Sequence, residues 1–379
     1  MQRLRELKQL GAAHLVYPGC THSRFEHSVG TFHVVGRIMD QLAHRGVLVE
    51  QYRQAVAIAA LVHDIAFVPY GHFVEDVLCF LPKHDGAALL SALDRPEFVS
   101  ILGRSLHGQV IDVLEHRAPA WTRAVIASTI DGDMLDYLRR DAFYAGLRQN
   151  YDERIFRYLT VHEGGLAVET ERAGLPRPDA VSELVNLLRL RYYLMERVYY
   201  HHAKLSAETM LGYALAKAME AGLPTETWRT MSDHEFILSL KDYAGAPWVE
   251  AVRKRRLFKR AYVISSRSTE WGERVAWSEA FARPQCKRRA EDALAPLGEA
   301  LICCLPPTLM KRAAVALTAG TDLAGHSPLD VKALETSYEE LWRLYVFAPL
   351  EQCQAVKAAA TKYFDRPSEY ERGRKVETI

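Results

Sequence analysis

The chain has 379 residues, 49% apolar and 25% charged, with 48 basic against 47 acidic side chains. That length and apolar content suit one large packed core with a smaller appendage. The formal net charge of +1 excludes a global pull toward nucleic acid or membrane, so any basic site must be local.

From the N-terminus, Leu4, Leu7 and Leu10 fall at helical spacing against Arg3, Arg5 and Lys8, and Gly11 offers a stop. The leading residues Met1-Gln2-Arg3-Leu4-Arg5 hold no apolar leader. Pro18-Gly19 marks a turn. Ser23 with Glu26 three residues on reads as a capping box, opening a helix through Phe32, Val35, Ile38, Met39 and Leu42. His27 shares a face with Val34 and Ile38 and is expected to point inward; taken alone it reads as a satisfied core histidine. A second apolar helix over 51–65 ends on His63-Asp64. An imidazole and a carboxylate side by side on an apolar element are costly to bury unless something pairs with them. Pro69 and Gly71 break this helix, His72, Glu75 and Asp76 open the next, and His84 lies in a turn at residues 82–86.

Helical runs are predicted at 97–116 and 121–130. Over residues 130–141, Asp133, Asp136 or Tyr137, and Asp141 recur at helical neighbour spacings, so one face can carry two carboxylates and a phenol. Leu159–His162 and Leu166–Val168 read as a short hairpin, and a long helix is predicted from about Ser182 to Ala221. Beyond it, helices are expected at Asp233–Leu240 and Trp248–Lys254. The basic run Arg253-Lys254-Arg255-Arg256, Lys259-Arg260 follows, read as a solvated face or subunit contact, with nucleic-acid binding as a weaker alternative. Strands are expected at Ala261–Ile264, Ala300–Leu305, near Ala314–Leu317 and at Leu344–Phe347. Helices over Val331–Leu341 and Glu351–Tyr363 complete a small α+β unit, and residues after 365 are expected to fray. The six cysteines form no C-x-x-C pair, and no apolar run reaches about 18 residues. A cytoplasmic chain of free thiols without a membrane span is therefore expected.

His27, His63-Asp64 and Asp133 give the order H…HD…D, each on a predicted helix. Two imidazoles and two carboxylates suit one divalent metal, and open positions would remain for water and a phosphate oxygen. The donor set tolerates Mn, Fe, Co, Ni, Zn or Mg.

With these residues in place, the sequence resembles the HD superfamily of metal-dependent phosphohydrolases, and within it the deoxynucleoside triphosphate triphosphohydrolases. The likeness rests on Gln2-Arg3-Leu4-Arg5 with Lys8-Gln9-Leu10-Gly11, on Val16-Tyr17-Pro18-Gly19, on Arg24-Phe25-Glu26-His27-Ser28, and on Asp136-Tyr137 with Arg140-Asp141. It covers residues 2–204 well and becomes weaker toward the C-terminus. The resemblance implies a mainly α fold: an HD-domain helical bundle over 1–230, and a C-terminal helical and α+β region over 231–379 that carries oligomer contacts.

It further implies that His27, His63, Asp64 and Asp133 are metal ligands, and that Arg24 and Arg191 clamp phosphates. Gln9, the Leu10 backbone, Tyr137, Asp141 and Tyr199 would hold the deoxyribose, and His72, Glu75 and His84 would form an acid/base group. Implied partners are a nucleotide substrate and further copies of the chain, as a dimer or tetramer.

Three departures stand out. Phe67 occupies the second histidine position of the family's H-D-x-x-H-x-P, removing a group expected near the α-phosphate. Met134 replaces a basic residue found after the last ligand in some members. The chain also begins at the helix that follows an N-terminal segment in the family, so a regulatory nucleotide site drawing on that segment is expected to be absent or incomplete. The function expected is hydrolysis of a deoxynucleoside triphosphate to deoxynucleoside and triphosphate. The alternatives are a catalytically silent nucleotide sensor, or an HD nucleotidase or nuclease acting on other phosphoesters.

Overall fold

The computed structural model describes residues 1–71, 73–77, 83–224, 226–295, 299–307, 316–318 and 323–371. Its organising helix is α1 (Arg24–His44), which starts where the sequence places it. Ser23 accepts from the Glu26 backbone N–H, and Glu26 reaches back to the Ser23 N–H, so the capping box is closed. The face carrying His27, Thr31, Val34, Val35, Ile38, Met39 and Leu42 is buried against α2 (Glu50–Val62) and α4 (Gly132–Tyr144), while α3 (Arg104–Leu114) backs α2.

Two glycines set how closely α1 and α4 approach. A Cβ on Gly132 would lie 2.4 Å from Val35 Cγ2, and one on Gly30 would lie 1.9 Å from Asp136 Oδ1. A side chain at Gly132 would press on Val35, and one at Gly30 would displace the Asp136 carboxylate and the Arg140 guanidinium that grips it.

The predicted helix over 97–116 is split into Pro96–Leu102 and Arg104–Leu114 by Gly103, at φ +73°. Residues 121–130 hold only the short helix Ala120–Ala124. The first ten residues form a 3-10 turn over Gln2–Glu6 rather than a full helix. Gly11 opens a second such turn instead of stopping the first, and Lys8 between them bridges to Ser23. The single helix expected over 182–221 is interrupted. It runs as α5 (Pro178–Leu194), a π-helical turn Met195–Tyr199 and α6 (His202–Glu220).

The hairpin of β1 (Leu159–His162) and β2 (Gly165–Val168) forms as predicted, and Ala316–Leu317 joins β2 in parallel. A second small sheet has the order β3 (Lys259–Ser265), β5 (Arg343–Ala348), β4 (Leu301–Cys304), all antiparallel. The sequence reading missed α7 (Trp271–Ala282), α8 (Pro284–Leu294) and the two-residue hairpin of Glu171–Arg172 with Leu175–Pro176. Helices α9 (Pro328–Glu339) and α10 (Cys353–Tyr363) follow the expected pattern.

The residues after 365 do not all fray. Tyr262 Oη donates to Arg366 O at 2.8 Å, and the Ser265 N–H donates to Glu369 Oε1 at 2.8 Å. This segment covers the open edge of β3, which would otherwise present unpaired backbone groups.

Two large apolar clusters result. One gathers α1 to α5, the β1–β2 hairpin and α9; the other gathers α6, the second sheet, and α8 and α10. The fold is mainly α, a helical bundle with small sheets.

Candidate active site

His27 projects from the first turn of α1 and is 1% exposed. Its Nδ1–H donates to Asp136 Oδ2 at 2.9 Å, and its Nε2 lies 2.9 Å from Asp133 Oδ1. Burial opposes charge on this ring, but the two carboxylates outweigh it and raise its pKa to about 10. A ligating histidine whose other nitrogen is held by a carboxylate has its tautomer and orientation fixed. Asp136 is itself gripped by both guanidinium arms of Arg140, at 2.8 and 2.9 Å.

His63 caps the end of α2. Its Nδ1 faces the Ala60 carbonyl oxygen at 2.7 Å, and a carbonyl can only accept, so the proton sits on Nδ1. In the neutral form of the ring Nε2 carries a lone pair. That atom is buried and, among the described residues, has no hydrogen-bond partner, yet it points at Asp64 Oδ1 at 3.3 Å and Asp133 Oδ1 at 3.8 Å. A lone pair facing a carboxylate oxygen is repulsive unless a proton or a metal ion lies between them. His27, His63 and Asp64 offer ligand atoms that all lie within 4.8 Å of one another, so the residues present fit a divalent metal. Burial opposes charge on Asp64, but a positively charged His63 ring and then Arg24 would hold its carboxyl well below the usual carboxylate range. Asp133, a third exposed at 35%, is also shifted down, with burial opposing and the His27 hydrogen bond favouring its charge.

Arg24 Nη1 lies 2.8 Å from Asp64 Oδ2, and its guanidinium carbon sits 3.2 Å from the centroid of the Phe67 ring. The far face of Phe67 stacks on His84 with centroids 3.6 Å apart. His84 Nδ1 meets Glu75 Oε2 at 2.8 Å, and its Nε2 lies 3.8 Å from Asp64 Oδ1. Glu75 and His84 are thus joined at the edge of the metal group. His72 lies outside the described residues.

The segment carrying Phe67 is held by two arginines from distant parts of the chain. Arg3 donates to Ile65 O at 2.8 Å, to Phe67 O at 2.9 Å and to Met231 O at 3.1 Å, and Arg229 donates to Ala66 O at 2.9 Å. Burial lowers the Arg3 pKa to about 10, and the charge of Arg24 adds to the shift.

A second set of predicted residues lies along α4. Asp141 is 1% exposed and accepts from Tyr199 Oη at 2.6 Å. Burial and then the Asp141 charge push the Tyr199 phenol well above its ordinary pKa. Tyr137 lies beside Arg191 and favours its charge, and burial raises the Tyr137 pKa. Gln9 is 8% exposed, with its Oε1 unpartnered among the described residues, while its carbonyl accepts from Arg24 Nη2 at 3.4 Å. Leu10 is partly buried beside it.

Three participants went unassigned in the sequence: His22, the Asp136–Arg140 pair in its supporting role, and the π-helical turn that places Tyr199. Asp136 stood beside Tyr137 on the predicted face, but nothing in the sequence told the two apart. The basic run at 253–260 is partly engaged inside the chain. Arg253 and Lys254 pair with Glu250, Arg255 donates to Leu15 O, and Arg260 lies over the Tyr370 ring.

The helical bundle with paired histidines and aspartates at the α1, α2 and α4 junction defines a class. The HD domain matches residues 24–140, and the HD associated region matches residues 152–374, more than half of the chain. The chain belongs to the family defined by the HD domain and its HD associated region. The uncharacterized protein YwfO of Bacillus subtilis is 31% identical over 226 residues, which is 58% of this chain and 50% of that protein. The deoxynucleoside triphosphate triphosphohydrolase SAMHD1 of Danio rerio is 29% identical over 259 residues, 57% of this chain and 41% of that protein. The chain spans about half the length of the curated relatives it matches. A crystal structure of a phosphohydrolase from Bacteroides thetaiotaomicron superposes with a TM-score of 0.70 at 22% identity, covering 92% of each chain. At that identity the likeness establishes the fold alone. Among the described residues no helix is long and apolar enough to cross a membrane.

Proposed function

We propose that the chain is a divalent-metal-dependent phosphohydrolase that cleaves a deoxynucleoside triphosphate to deoxynucleoside and triphosphate. The observation that carries this reading is the buried His63 Nε2, without a hydrogen-bond partner among the described residues and aimed at two carboxylates beside His27. His27, His63, Asp64 and Asp133 would hold the metal. When bound, such an ion supplies a Lewis acid to a phosphate oxygen.

The chain's own side chains do the rest. Arg24 and Arg191 neutralise phosphate charge with planar, permanently charged donors. Glu75 orients His84 through Nδ1, leaving His84 Nε2 at the edge of the site to hold the proton that the departing 5′-oxygen takes. Gln9 and Asp141 receive the 3′-hydroxyl, and Tyr137 packs where a 2′-hydroxyl would stand. The relationship to the Danio rerio triphosphohydrolase supports the choice of substrate. Purified protein assayed for metal and incubated with a full nucleotide panel, with products resolved by ion-exchange chromatography, tests the reading; no product from any nucleotide overturns it.

A nucleotide sensor without turnover is the second reading. It is favoured by Phe67, which occupies the space between Arg24 and His84 with a ring that cannot move a proton. Tight nucleotide binding with an intact metal and no product would select it.

Sugar discrimination is expected to be asymmetric. A site that hydrogen-bonds a buried hydroxyl rejects a ligand lacking it strongly, whereas rejection of an added hydroxyl is softer. A 3′-deoxy analogue should therefore be a far poorer substrate than the 2′-deoxynucleotide, and the ribonucleotide poorer by a smaller margin. Tyr137→Ala should relax the second preference. Equal turnover of all three nucleotides by the wild-type protein would remove the sugar-pocket assignment.

The family resemblance also points to assembly of several copies. Light scattering is expected to give a particle heavier than the 42.9 kDa chain. A monomer at every concentration, with and without nucleotide, would refute that.

A further inference from the structure

His22 immediately precedes the N-cap of α1, is 2% exposed, and has no role in the reading above. Its imidazole Nε2 lies 2.8 Å from Asp141 Oδ1, while Tyr199 takes the other oxygen of the same carboxylate. Its backbone carbonyl accepts from the Gln9 N–H at 3.0 Å. One residue therefore ties together two groups that approach from different ends of the fold, Gln9 from the N-terminal turn and Asp141 from α4. The ring is held by Tyr144, stacked on it with centroids 4.4 Å apart and planes 19° apart. Among the described residues Nδ1 of His22 is buried and without a partner, so its position is set by Tyr144 on the face and by Asp141 at Nε2.

We propose that His22 is the positioning residue for recognition of the substrate's 3′-hydroxyl, fixing Asp141 through its side chain and Gln9 through its main chain. This rests on the proposed function, in which those two side chains receive that hydroxyl. The physical case concerns the carboxylate. An ionised carboxylate accepts at about four lone-pair positions. With Nε2–H and the Tyr199 phenol each occupying one oxygen, a lone pair on each oxygen remains for a ligand, and the plane of the group is locked. Without His22 a carboxylate that is 1% exposed would keep one of its two donors. It would then be free to turn toward whatever donor lay nearest, including Tyr199 alone. The hydroxyl would still fit, but its acceptor would no longer be waiting in the bound geometry.

The test compares kcat and KM for a 2′-deoxynucleoside triphosphate and its 2′,3′-dideoxy analogue in wild type, His22→Phe and His22→Gln. Phenylalanine keeps the stack on Tyr144 and deletes the donor, whereas glutamine restores one. In His22→Phe the KM for the deoxynucleotide should rise about tenfold or more, the scale of a lost hydrogen bond to a charged group. The dideoxy analogue should change little, so the ratio of the two kcat/KM values collapses, and His22→Gln should recover most of it. Should His22→Phe fail to fold, His22→Leu carries the same comparison. A variant that loses activity on both substrates in equal proportion, or that keeps the wild-type ratio, overturns the proposal. A wild-type protein that hydrolyses both substrates equally well instead refutes the role given to Asp141, and the proposal falls with it.

Discussion

Asp64→Asn protein should be recovered folded, nearly free of metal, and slower in hydrolysis by about 10³-fold, the rate equivalent of roughly 4 kcal/mol. Asparagine is the informative substitution because Asp64 has two partners. Its Oδ2 takes the guanidinium of Arg24, itself 3% exposed. Asp64→Ala would strand that cation in the interior at a cost of about 3–5 kcal/mol, confounding metal loss with misfolding. An amide keeps an acceptor for Arg24 and removes the charge that a metal needs. His63→Ala should give the same loss by a second route, since His63 Nε2 is left without a partner among the described residues. Metal analysis alongside circular dichroism separates the effects. Full activity in a metal-free Asp64→Asn protein would dismiss the metal assignment.

Phe67→Ala is expected to cost about 3–5 kcal/mol of stability, as large-to-small changes at fully buried aromatic positions do, read as a lower midpoint in chemical unfolding. The ring is 1% exposed and forms a small apolar cluster with Leu4 and Leu7, and it carries Arg24 on one face and His84 on the other. The position therefore joins core packing to the placement of two candidate active-site groups. Phe67→Leu separates the two roles. It keeps apolar volume, at less than about 1.5 kcal/mol, but gives up the flat surface that a guanidinium and an imidazole can share. If Phe67 positions Arg24 and His84 for chemistry, Phe67→Leu should lower kcat while the unfolding midpoint changes little. An unchanged kcat would mean that the stack has no part in turnover.

The parts of the molecule that were legible in sequence are those where local chemistry and tertiary placement agree. Ser23 and Glu26 fixed the start of α1, and the spacing from His27 to Leu42 fixed its inward face. The Gly- and Pro-punctuated stretch after residue 151 gave the β1–β2 hairpin. Illegible features depend on contacts from afar. Gly103 looks like any tolerated helical glycine until its φ of +73° is known. The π-helical turn at Met195–Tyr199 has no sequence mark, yet it sets the phenol of Tyr199 against Asp141. His22 sits in a polar run beside a turn, and only the arrival of Asp141 and Tyr144 gives it partners. Helices α7 and α8 were hidden because charged residues interrupt their apolar spacing: α8 buries only Ala290, Glu291 and Leu294.

The two arginines on the segment after Asp64 bear on where this protein can be cut or recombined. The stretch recognisable as an HD domain begins at residue 24 and ends at residue 140, and it contains all four candidate metal ligands. The carbonyls of Ile65, Ala66 and Phe67 are nevertheless held by Arg3, which precedes that stretch, and by Arg229, which follows it. An excised HD segment would keep its ligands and lose the donors that hold the loop beneath them, leaving three carbonyls to find water. The boundary drawn by inheritance and the boundary drawn by mechanics therefore differ. A chimera exchanging the region after residue 152 with a relative's inherits a working site only if the incoming sequence supplies a guanidinium where Arg229 now stands.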